Sequence, residues 1–331
     1  MSGRLILGIE SSCDDTAAAL VTESGEVLAS VIAAQEEVHN AFGGVYPEFA
    51  SRAHVVSVIP TIEKVMADAG ATPADLAAIG VTRGPGLIGS LLVGLNTAAG
   101  LGVGWNVPVI GVNHLRGHLR SADLEQARVK YPAIILLVSG GHSILARMTG
   151  PGEIAMLGTT RDDSVGEAFD KVGRMLGLPF PAGPAMDRLA AQGQPLFKFP
   201  RPMINEGLEF SFSGLKSSVA RHMEKHPDAR LEDVAASFVA ACLDVLEAKC
   251  RLALTEHPST ALVVVGGVSA SPPLRARMAA MCEGLGVELC LPPLRWSTDN
   301  AAMIALAAWD YLRAGLYPPA VPQVRLPITQ Y

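Results

Sequence analysis

Three segments of the 331-residue chain share one plan, in which an apolar strand is followed by a turn of small or acidic residues. The segments are LILGIESSCDDTAAALV, AIILLVSGGHSILARM and ALVVVGGVSAS. Glycine in such a turn lets the backbone approach a phosphate or a ribose, because no Cβ intervenes. Hairpins also contain glycine for purely steric reasons, but three such turns together predict a nucleotide held between two related halves.

Helical patterns lie between these segments. EFASRAHVVSVIPTIEKVMADAG is amphipathic, and we expect Pro60 to kink or break it. DDSVGEAFDKVGRMLGL, LEDVAASFVAACLDVLEAKCRLALTEH and STDNAAMIALAAWDYLRAGLYP also predict helices. Strands that alternate with helices predict an α/β chain, and no linker divides it into independent segments.

The composition is that of a well-buried globular protein, with 49% hydrophobic and 18% charged residues. The N-terminal MSGRLILGIE enters a strand pattern at once and lacks the features of a signal peptide, so we expect a cytoplasmic protein. LIGSLLVGLNTAAGLGVGW is the best membrane candidate, but its five glycines and three polar residues favour a close-packed buried helix. We therefore expect no membrane partner.

Cysteine content and charge exclude further classes. The five cysteines form no CxxC pair, which argues against a disulfide framework or a zinc knuckle. A net charge of -6 gives no general attraction to nucleic acid, so an RNA contact needs a local basic track or a basic partner. A discontinuous track is predicted from Arg83, Arg116, Lys198, Arg201 and Lys216.

The stretch NHLRGHL places His114 and His118 four residues apart, so both rings reach one cation if the segment is helical. His222 and His226 have the same spacing among charged residues, where they predict a solvated helix end, so spacing alone does not decide. A metalloprotease of the HExxH kind needs a glutamate where this chain has Leu115, which argues against a peptidase.

Two histidines leave a metal ion short of ligands, and a carboxylate would complete the set. Asp299 is the most attractive candidate, although a helix cap is the equal alternative. Gly183 precedes Pro184 just outside a predicted helix start, where free N–H groups favour an anion. Asp187 one turn later either binds a ribose hydroxyl or interacts with the helix dipole.

Eight motifs from residue 4 to 313 occur in the order seen in the TsaD family, also called Gcp or YgjD: GIESSCDDTA, TRGPGLIGSLLVGL, NHLRGHL, LLVSGGHS, GEAFDKVGRMLGL, FSFSGLKSS, VVVGGVSA and TDNAAMIA. The chain resembles these tRNA N6-adenosine threonylcarbamoyltransferases. The resemblance implies the two-lobed actin, sugar-kinase and Hsp70-like (ASKHA) α/β fold with a nucleotide cleft between the lobes. We expect residues 1–132 plus about 300–331 in one lobe and 133–299 in the other.

The resemblance also implies an activity. The threonylcarbamoyl group would pass from threonylcarbamoyl-AMP to N6 of adenosine 37 in tRNAs that read codons beginning with A. Partner proteins TsaB and TsaE are implied, with TsaC as the supplier of the intermediate. A same-fold kinase or ATPase, a non-catalytic paralogue and a metallopeptidase are the alternatives, and fold alone separates none of them.

The candidate site residues fall into three groups, of which the metal ligands and the substrate-binding positions are implied by the resemblance and the base is inferred from the chemistry of the amine. The metal ligands are His114, His118 and Asp299, with one Fe(2+) per subunit and Zn(2+) as the alternative. Asp14 or Asp15 is the candidate to orient or deprotonate the amine, unless both only shape the hairpin. The substrate-binding residues are Leu137, Val138, Ser139, Gly140, Gly141, Asp170, Gly183, Asp187 and Ser271.

Three positions depart from the family pattern. Ser271 stands where an asparagine is usual, and a serine hydroxyl replaces one amide hydrogen bond but not both, so an altered contact to the nucleoside is expected. Ala182 stands for the first glycine of Gly-Gly-Pro, and Ser297 stands for a cysteine. None of these changes touches the three implied metal ligands.

Overall fold

The computed structural model describes residues 4–35, 44–126, 128–150 and 152–331. The strands are β1 (Leu5–Glu10), β2 (Thr16–Thr22), β3 (Val27–Ala33), β4 (Leu76–Gly84), β5 (Val109–Asn113), β6 (Ala133–Val138), β7 (Ser143–Gly150), β8 (Glu153–Thr159), β9 (Ala261–Val265) and β10 (Glu288–Cys290). The helices are α1 (Pro47–Asp68), α2 (Ile88–Trp105), α3 (His114–Ser121), α4 (Val165–Met175), α5 (Gly183–Ala190), α6 (Ser213–Lys225), α7 (Leu231–Glu256), α8 (Pro272–Leu285) and α9 (Ala301–Arg313).

The chain divides into two compact units. Unit 1 comprises Met1–Arg128 and Pro292–Tyr331, and unit 2 comprises Val129–Leu291. Residues 292–299, which the sequence analysis assigned to the second lobe, lie in unit 1 because Trp296 packs in its hydrophobic core. Residues 129–132 lie in unit 2, where the Pro132 carbonyl accepts the Thr260 N–H at the start of β9.

Unit 1 is built on a five-stranded sheet in the order β3-β2-β1-β4-β5. β1 runs antiparallel to β2 and parallel to β4, and all six of its residues are buried, as befits a central strand. Successive side chains alternate between two cores. Leu7 and Ile9 pack on the face covered by α1 and α2, whereas Ile6 packs on the face covered by α9.

Unit 2 repeats this topology. Its sheet has the order β8-β7-β6-β9-β10, with β6 antiparallel to β7 and parallel to β9. β6 and β9 are buried throughout, and helices α4, α6, α7 and α8 supply much of the core around them. The internal repeat predicted from the three strand-and-turn segments is confirmed.

Two helix predictions need correction. α1 continues through Pro60 without a break. α2 is buried along one face only, at positions that include Leu91, Gly94 and Ala98, while Ile88 and Val103 are exposed. Within the described ranges it is the one helix long and apolar enough to cross a membrane by length and composition alone, and 33% of that stretch is buried.

Candidate functional site

In unit 1, residues that carry chemistry gather at the carboxyl ends of the parallel strands β1, β4 and β5. Glu10 is the last residue of β1, and Asn113 is the last residue of β5. Asn113 also begins α3, because its side-chain oxygen accepts the Leu115 N–H at 3.0 Å. The strand therefore passes directly into the helix that carries His114 and His118.

A close helix contact brings the third candidate ligand to this edge. Gly117 lies between the two histidines on α3, and a Cβ there would stand 2.7 Å from Ile304 Cδ1 of α9. A larger residue at this position would require the side chains of Met303 and Ile304 on α9 to move. Asp299, two residues before the first residue of α9, is thereby brought beside α3.

Asp299 does not cap α9. The capping residue is Asn300, whose side-chain oxygen accepts the Met303 N–H at 2.9 Å. The Asp299 carboxylate instead lies beside the histidines, with Oδ1 3.1 Å from His118 Nε2 and 3.6 Å from His114 Nε2. Of the two roles left open by the sequence, the geometry supports the ligand.

One nitrogen from each histidine and one carboxylate oxygen lie within 4.8 Å of one another. Donor atoms that bind one ion at about 2.1 Å stand roughly 3.0–3.5 Å apart, and the distances of 3.1 and 3.6 Å from Asp299 Oδ1 to the two histidines are close to this range. His118 is fully buried, and the carboxylate of Asp299 near Nε2 is the polar group that its ring faces, while Nδ1 makes no hydrogen bond. A metal ion between Nε2 and that carboxylate oxygen would bind both atoms. Two imidazoles and a carboxylate suit Fe(2+) or Zn(2+).

Electrostatics favour a positive charge at this site. Burial by itself opposes charge on His114, but Asp299 and Glu10 outweigh it and raise the pKa of His114 to about 9. Burial also opposes ionisation of Glu10, yet the charge and the hydrogen bond of His114 keep the pKa of Glu10 below its ordinary value. The pocket is thus built for a cation, and the one-third exposure of the Asp299 side chain leaves an open side.

The turn after β1 contains both candidate bases. Asp15 Oδ1 accepts the Gln35 N–H at 3.1 Å, a contact that shapes the loop. The carbonyl of Cys13 is held from two helices, by His54 Nε2 at 3.1 Å and Ser90 Oγ at 3.2 Å. Asp14 and Asp15 are both partly exposed in this fixed turn.

In unit 2, the turns that follow β6 and β9 are open. Leu137 and Val138 are fully buried within β6, so the structure does not support direct contact of either residue with a ligand. Gly140 and Gly141 are exposed, and a Cβ on either would meet nothing within 4 Å. Ser139 Oγ accepts the His142 N–H at 3.1 Å, which fixes the turn.

The turn after β9 packs against the end of β6. Gly266 has φ +90°, and a Cβ there would lie 2.4 Å from the Val138 carbonyl oxygen, so glycine is required. The next residue, Gly267, is open on its Cβ side. The ends of the neighbouring strands β6 and β9 therefore present two adjacent glycine turns.

Ser271 and Asp187, both predicted to bind substrate, are in contact with each other, and Asp170 accepts a hydrogen bond from the protein backbone. The Ser271 hydroxyl hydrogen-bonds the carboxylate of Asp187, whose pKa is nevertheless raised by burial, and Asp187 Oδ1 is without a partner. Asp170 Oδ1 accepts the Ala182 N–H at 2.8 Å, and burial raises its pKa. Gly183 is the first residue of α5 rather than a residue outside the helix, and its Cβ side is open.

The predicted basic track is wrong at two of its five positions. Arg83 and Arg116 are buried, with 7% and 5% exposure, and both donate to backbone carbonyls near the C-terminus. The Arg116 guanidinium also stacks on the Tyr331 ring at 3.7 Å. Arg201 forms an ion pair with Asp244 at 2.7 Å. Of the five basic residues, Lys198 is the most exposed.

Glu10, which was not predicted from the sequence, is 1% exposed and hydrogen-bonded to His114. A signal was present, because a carboxylate that directly ends a fully apolar strand is unusual and calls for a partner. The Thr82 hydroxyl, also missed, donates to Glu10 Oε2 at 2.7 Å.

Two units with one strand order, of which one holds a candidate metal centre and the other open glycine turns, define an α/β protein of the ASKHA class. Solved structures support this fold. HypF from T. kodakarensis matches with a TM-score of 0.67 at 12% identity, covering 97% of this chain and 50% of that one. The activator of 2-hydroxyisocaproyl-CoA dehydratase from Clostridium difficile, solved with ADPNP, matches at 0.56 and 15% identity, covering 94% and 96%.

The chain belongs to the TsaD family, because the model of that family, described as tRNA N6-adenosine threonylcarbamoyltransferase, matches residues 26–306. A protein of that name from Geobacter sp. (strain M21) is 49% identical over 94% of this chain and 92% of its own length. Another from Carboxydothermus hydrogenoformans is 46% identical over 96% and 95%.

Proposed function

We propose that this protein transfers the threonylcarbamoyl group of threonylcarbamoyl-AMP to N6 of adenosine 37 in tRNAs that read codons beginning with A, forming N6-threonylcarbamoyladenosine. One observation carries the proposal: in a member of this family, His114, His118 and Asp299 lie within 4.8 Å of one another. The peptidase alternative lacks a base, because Leu115 is a buried apolar residue in the required position.

The reaction is an acyl transfer. The adenine N6 forms a bond to the carbamoyl carbon while the bond from that carbon to the phosphate oxygen breaks, and AMP leaves. The donor is a mixed anhydride with a good leaving group, so no covalent enzyme intermediate is required. The protein has to position the two substrates and control charge.

We propose that His114, His118 and Asp299 hold one Fe(2+) per subunit, with Zn(2+) as the alternative. Bound there, the ion supplies Lewis-acid polarisation of the threonylcarbamoyl carbonyl. Three protein ligands leave coordination positions for a substrate, and the partly exposed Asp299 side gives access to them.

The AMP portion is assigned to unit 2. Backbone N–H groups of Gly140 and Gly141 would hold the phosphate as charge builds on it, because the Ser139 N–H already donates to the His142 carbonyl at 2.8 Å. The open start of α5 at Gly183 is a further candidate to bind an anion. Asp170 and Asp187 would receive ribose hydroxyls. Ser271 supports the second of these roles through its hydrogen bond to Asp187.

Asp14 and Asp15 are proposed to orient or deprotonate the adenine amine, whose lone pair is delocalised into the ring. Asp14 is the stronger candidate, because Asp15 also accepts a backbone hydrogen bond from Gln35. Single-turnover transfer by Asp14→Ala and Asp15→Ala tests this assignment. Unchanged rates in both variants would remove it.

We propose a cytoplasmic enzyme that works with TsaB and TsaE and receives its acyl donor from TsaC. An acidic chain needs help to bind tRNA, and Lys198 is a small part of the required charge.

The test is transfer of labelled threonine to unmodified tRNA by purified protein with threonylcarbamoyl-AMP, TsaB, TsaE and ATP. We expect label on adenosine 37 with the wild type, and at least about a 100-fold slower rate with His118→Ala. His222→Ala is the matched control, because it removes a histidine of the same spacing elsewhere and should keep the wild-type rate. No label with the wild type and active partners would contradict the proposed reaction.

A further inference from the structure

Glu10 is a buried carboxylate that the proposed reaction does not use. Its side chain accepts three hydrogen bonds: from the Ser12 N–H at 2.5 Å, from the Thr82 hydroxyl at 2.7 Å and from His114 Nδ1 at 2.9 Å. Acidic side chains are almost never fully buried unless they are paired. The fold therefore fixes this carboxylate from two strands, β1 and β4, and aims it at one imidazole.

The contact with Glu10 decides which nitrogen of His114 can bind a metal ion. An imidazole that donates its Nδ1 proton to a carboxylate keeps a lone pair on Nε2, and the ring can no longer rotate freely. Nε2 is the nitrogen of His114 that lies near Asp299, at 3.6 Å. The carboxylate of Glu10 contacts the other ring nitrogen and is not a member of the ligand group itself.

The two histidines are supported differently. His118 Nδ1 is buried and makes no hydrogen bond, so its orientation depends on the packing of α3. His114 has Glu10, and the Ser12 hydroxyl lies 3.2 Å from the same nitrogen. Removal of the Glu10 carboxylate should therefore affect the orientation of His114 before that of His118.

We propose that Glu10 is a positioning residue that holds His114 as an Nε2 ligand of the metal ion, through the hydrogen bond from Nδ1–H. The inference rests on the metal site of the proposed function. It adds a residue that touches neither metal nor substrate and acts through His114.

The first test measures metal binding without any substrate. Co(2+) is titrated into the full-length wild-type chain and into the Glu10→Gln and Glu10→Ala variants, with its visible absorption and a competing chelator as readouts. We expect Glu10→Ala to lower the affinity about 10- to 100-fold. Glu10→Gln should recover part of this loss, because its amide oxygen still accepts the Nδ1 proton.

Ser11→Ala is the matched control. Ser11 is the next residue, is equally buried and donates to the Ser90 carbonyl at 2.9 Å, away from the metal ligands. We expect it to keep the wild-type affinity. Urea unfolding of all the metal-free variants shows which of them fold, and Glu10→Gln keeps the test valid if Glu10→Ala does not.

A second readout observes the ring directly. In Zn(2+)-loaded protein labelled with ¹⁵N-histidine, the wild type should show a protonated Nδ1 and a metal-bound Nε2 on His114. Metal bonded to Nδ1, or wild-type affinity in both Glu10 variants, overturns the inference while leaving the proposed transfer reaction intact. A wild-type chain that binds no Co(2+) overturns it together with the metal site.

Discussion

His114 and His118 on α3, and His222 and His226 at the end of α6, are each separated by four residues, and in both pairs the ring centroids lie 4.7 Å apart. The surroundings differ. The first pair is buried beside two carboxylates, Glu10 and Asp299. In the second pair His226 is exposed and His222 packs against the Phe197 ring at 4.2 Å.

The difference lies in what each helix packs against. α3 follows β5, the edge strand of the sheet in unit 1, and contacts α9, so distant carboxylates reach its histidines. α6 ends at the surface before Pro227, and its histidines meet aromatic rings instead. In the part of the chain that the structure describes, only the first pair belongs to a cluster of three ligand-type residues. Helical spacing creates a pair, and tertiary packing makes it a candidate metal site.

The largest expected effect is on metal binding. The double variant His114→Ala/His118→Ala should lose more than about 100-fold in affinity for Fe(2+) or Zn(2+), because two of three ligands are gone. The double variant His222→Ala/His226→Ala should keep the wild-type affinity. Metal per chain, measured by mass spectrometry after gel filtration, gives the comparison. Equal loss in the two variants would mean that both pairs bind metal.

A second effect is on stability. An ion that binds only the folded chain stabilises it by about 2.7 kcal/mol when its free concentration is 100 times Kd. Thermal unfolding with and without metal should show this rise in the wild type and in the variant of the second pair. A chelator should reverse it. A rise that persists in His114→Ala/His118→Ala would place the bound ion elsewhere.

A third effect concerns the residues that cap the N-termini of α3 and α6. Asn113 caps α3, and Asp162 accepts the Phe212 and Ser213 N–H groups at the start of α6, at 2.8 and 3.3 Å. Each substitution by alanine should cost about 1 kcal/mol in urea unfolding of the metal-free protein. Only Asn113→Ala should also weaken metal binding, because α3 carries the ligands. A matching loss of metal affinity in Asp162→Ala would contradict this division.

The sequence predicted much of this comparison. Strand and turn segments repeat in both units because burial leaves a strong local pattern, and the spacing of NHLRGHL and the helix at TDNAA are local too. The choice between cap and ligand at Asp299 was only partly local. Asn300, the next residue, takes the capping role, whereas the packing of α9 on α3 that brings Asp299 to the histidines is a tertiary contact.

Two failures have the same physical cause. Glu10 meets His114 across 104 residues, and Arg116 meets the Ile328 carbonyl across 212. No periodicity in the chain records such contacts, so Glu10 was overlooked and Arg116 was taken for a surface charge. For Glu10, a charged residue at the end of an apolar strand was the available signal, and it indicates a buried partner rather than solvent. The segment around Arg116, HLRGHLRS, is polar and carries no such signal.

The smallest expected effect concerns His222. Its buried Nε2 has no partner, and burial together with the charge of His226 lowers the pKa of His222 below 6.5. Leucine keeps an apolar contact with Phe197 and removes the unsatisfied nitrogen, so His222→Leu should change the free energy of unfolding by no more than about 1 kcal/mol at pH 8. Urea unfolding measures it.

The lowered pKa of His222 also predicts the direction in which stability changes with pH. Below its ordinary pKa of 6.5, the unfolded chain binds a proton at His222 more readily than the folded chain does, so the wild type loses stability as the pH falls through that range. The His222→Leu variant has no imidazole at this position and so lacks this loss of stability. Its free energy of unfolding should therefore rise relative to that of the wild type from pH 8 to pH 5. His226→Leu should reduce the wild-type slope without removing it, because only the neighbouring charge is lost. A difference that stays constant with pH would mean that His222 titrates alike in both states. The second pair would then be as solvated as the sequence predicted.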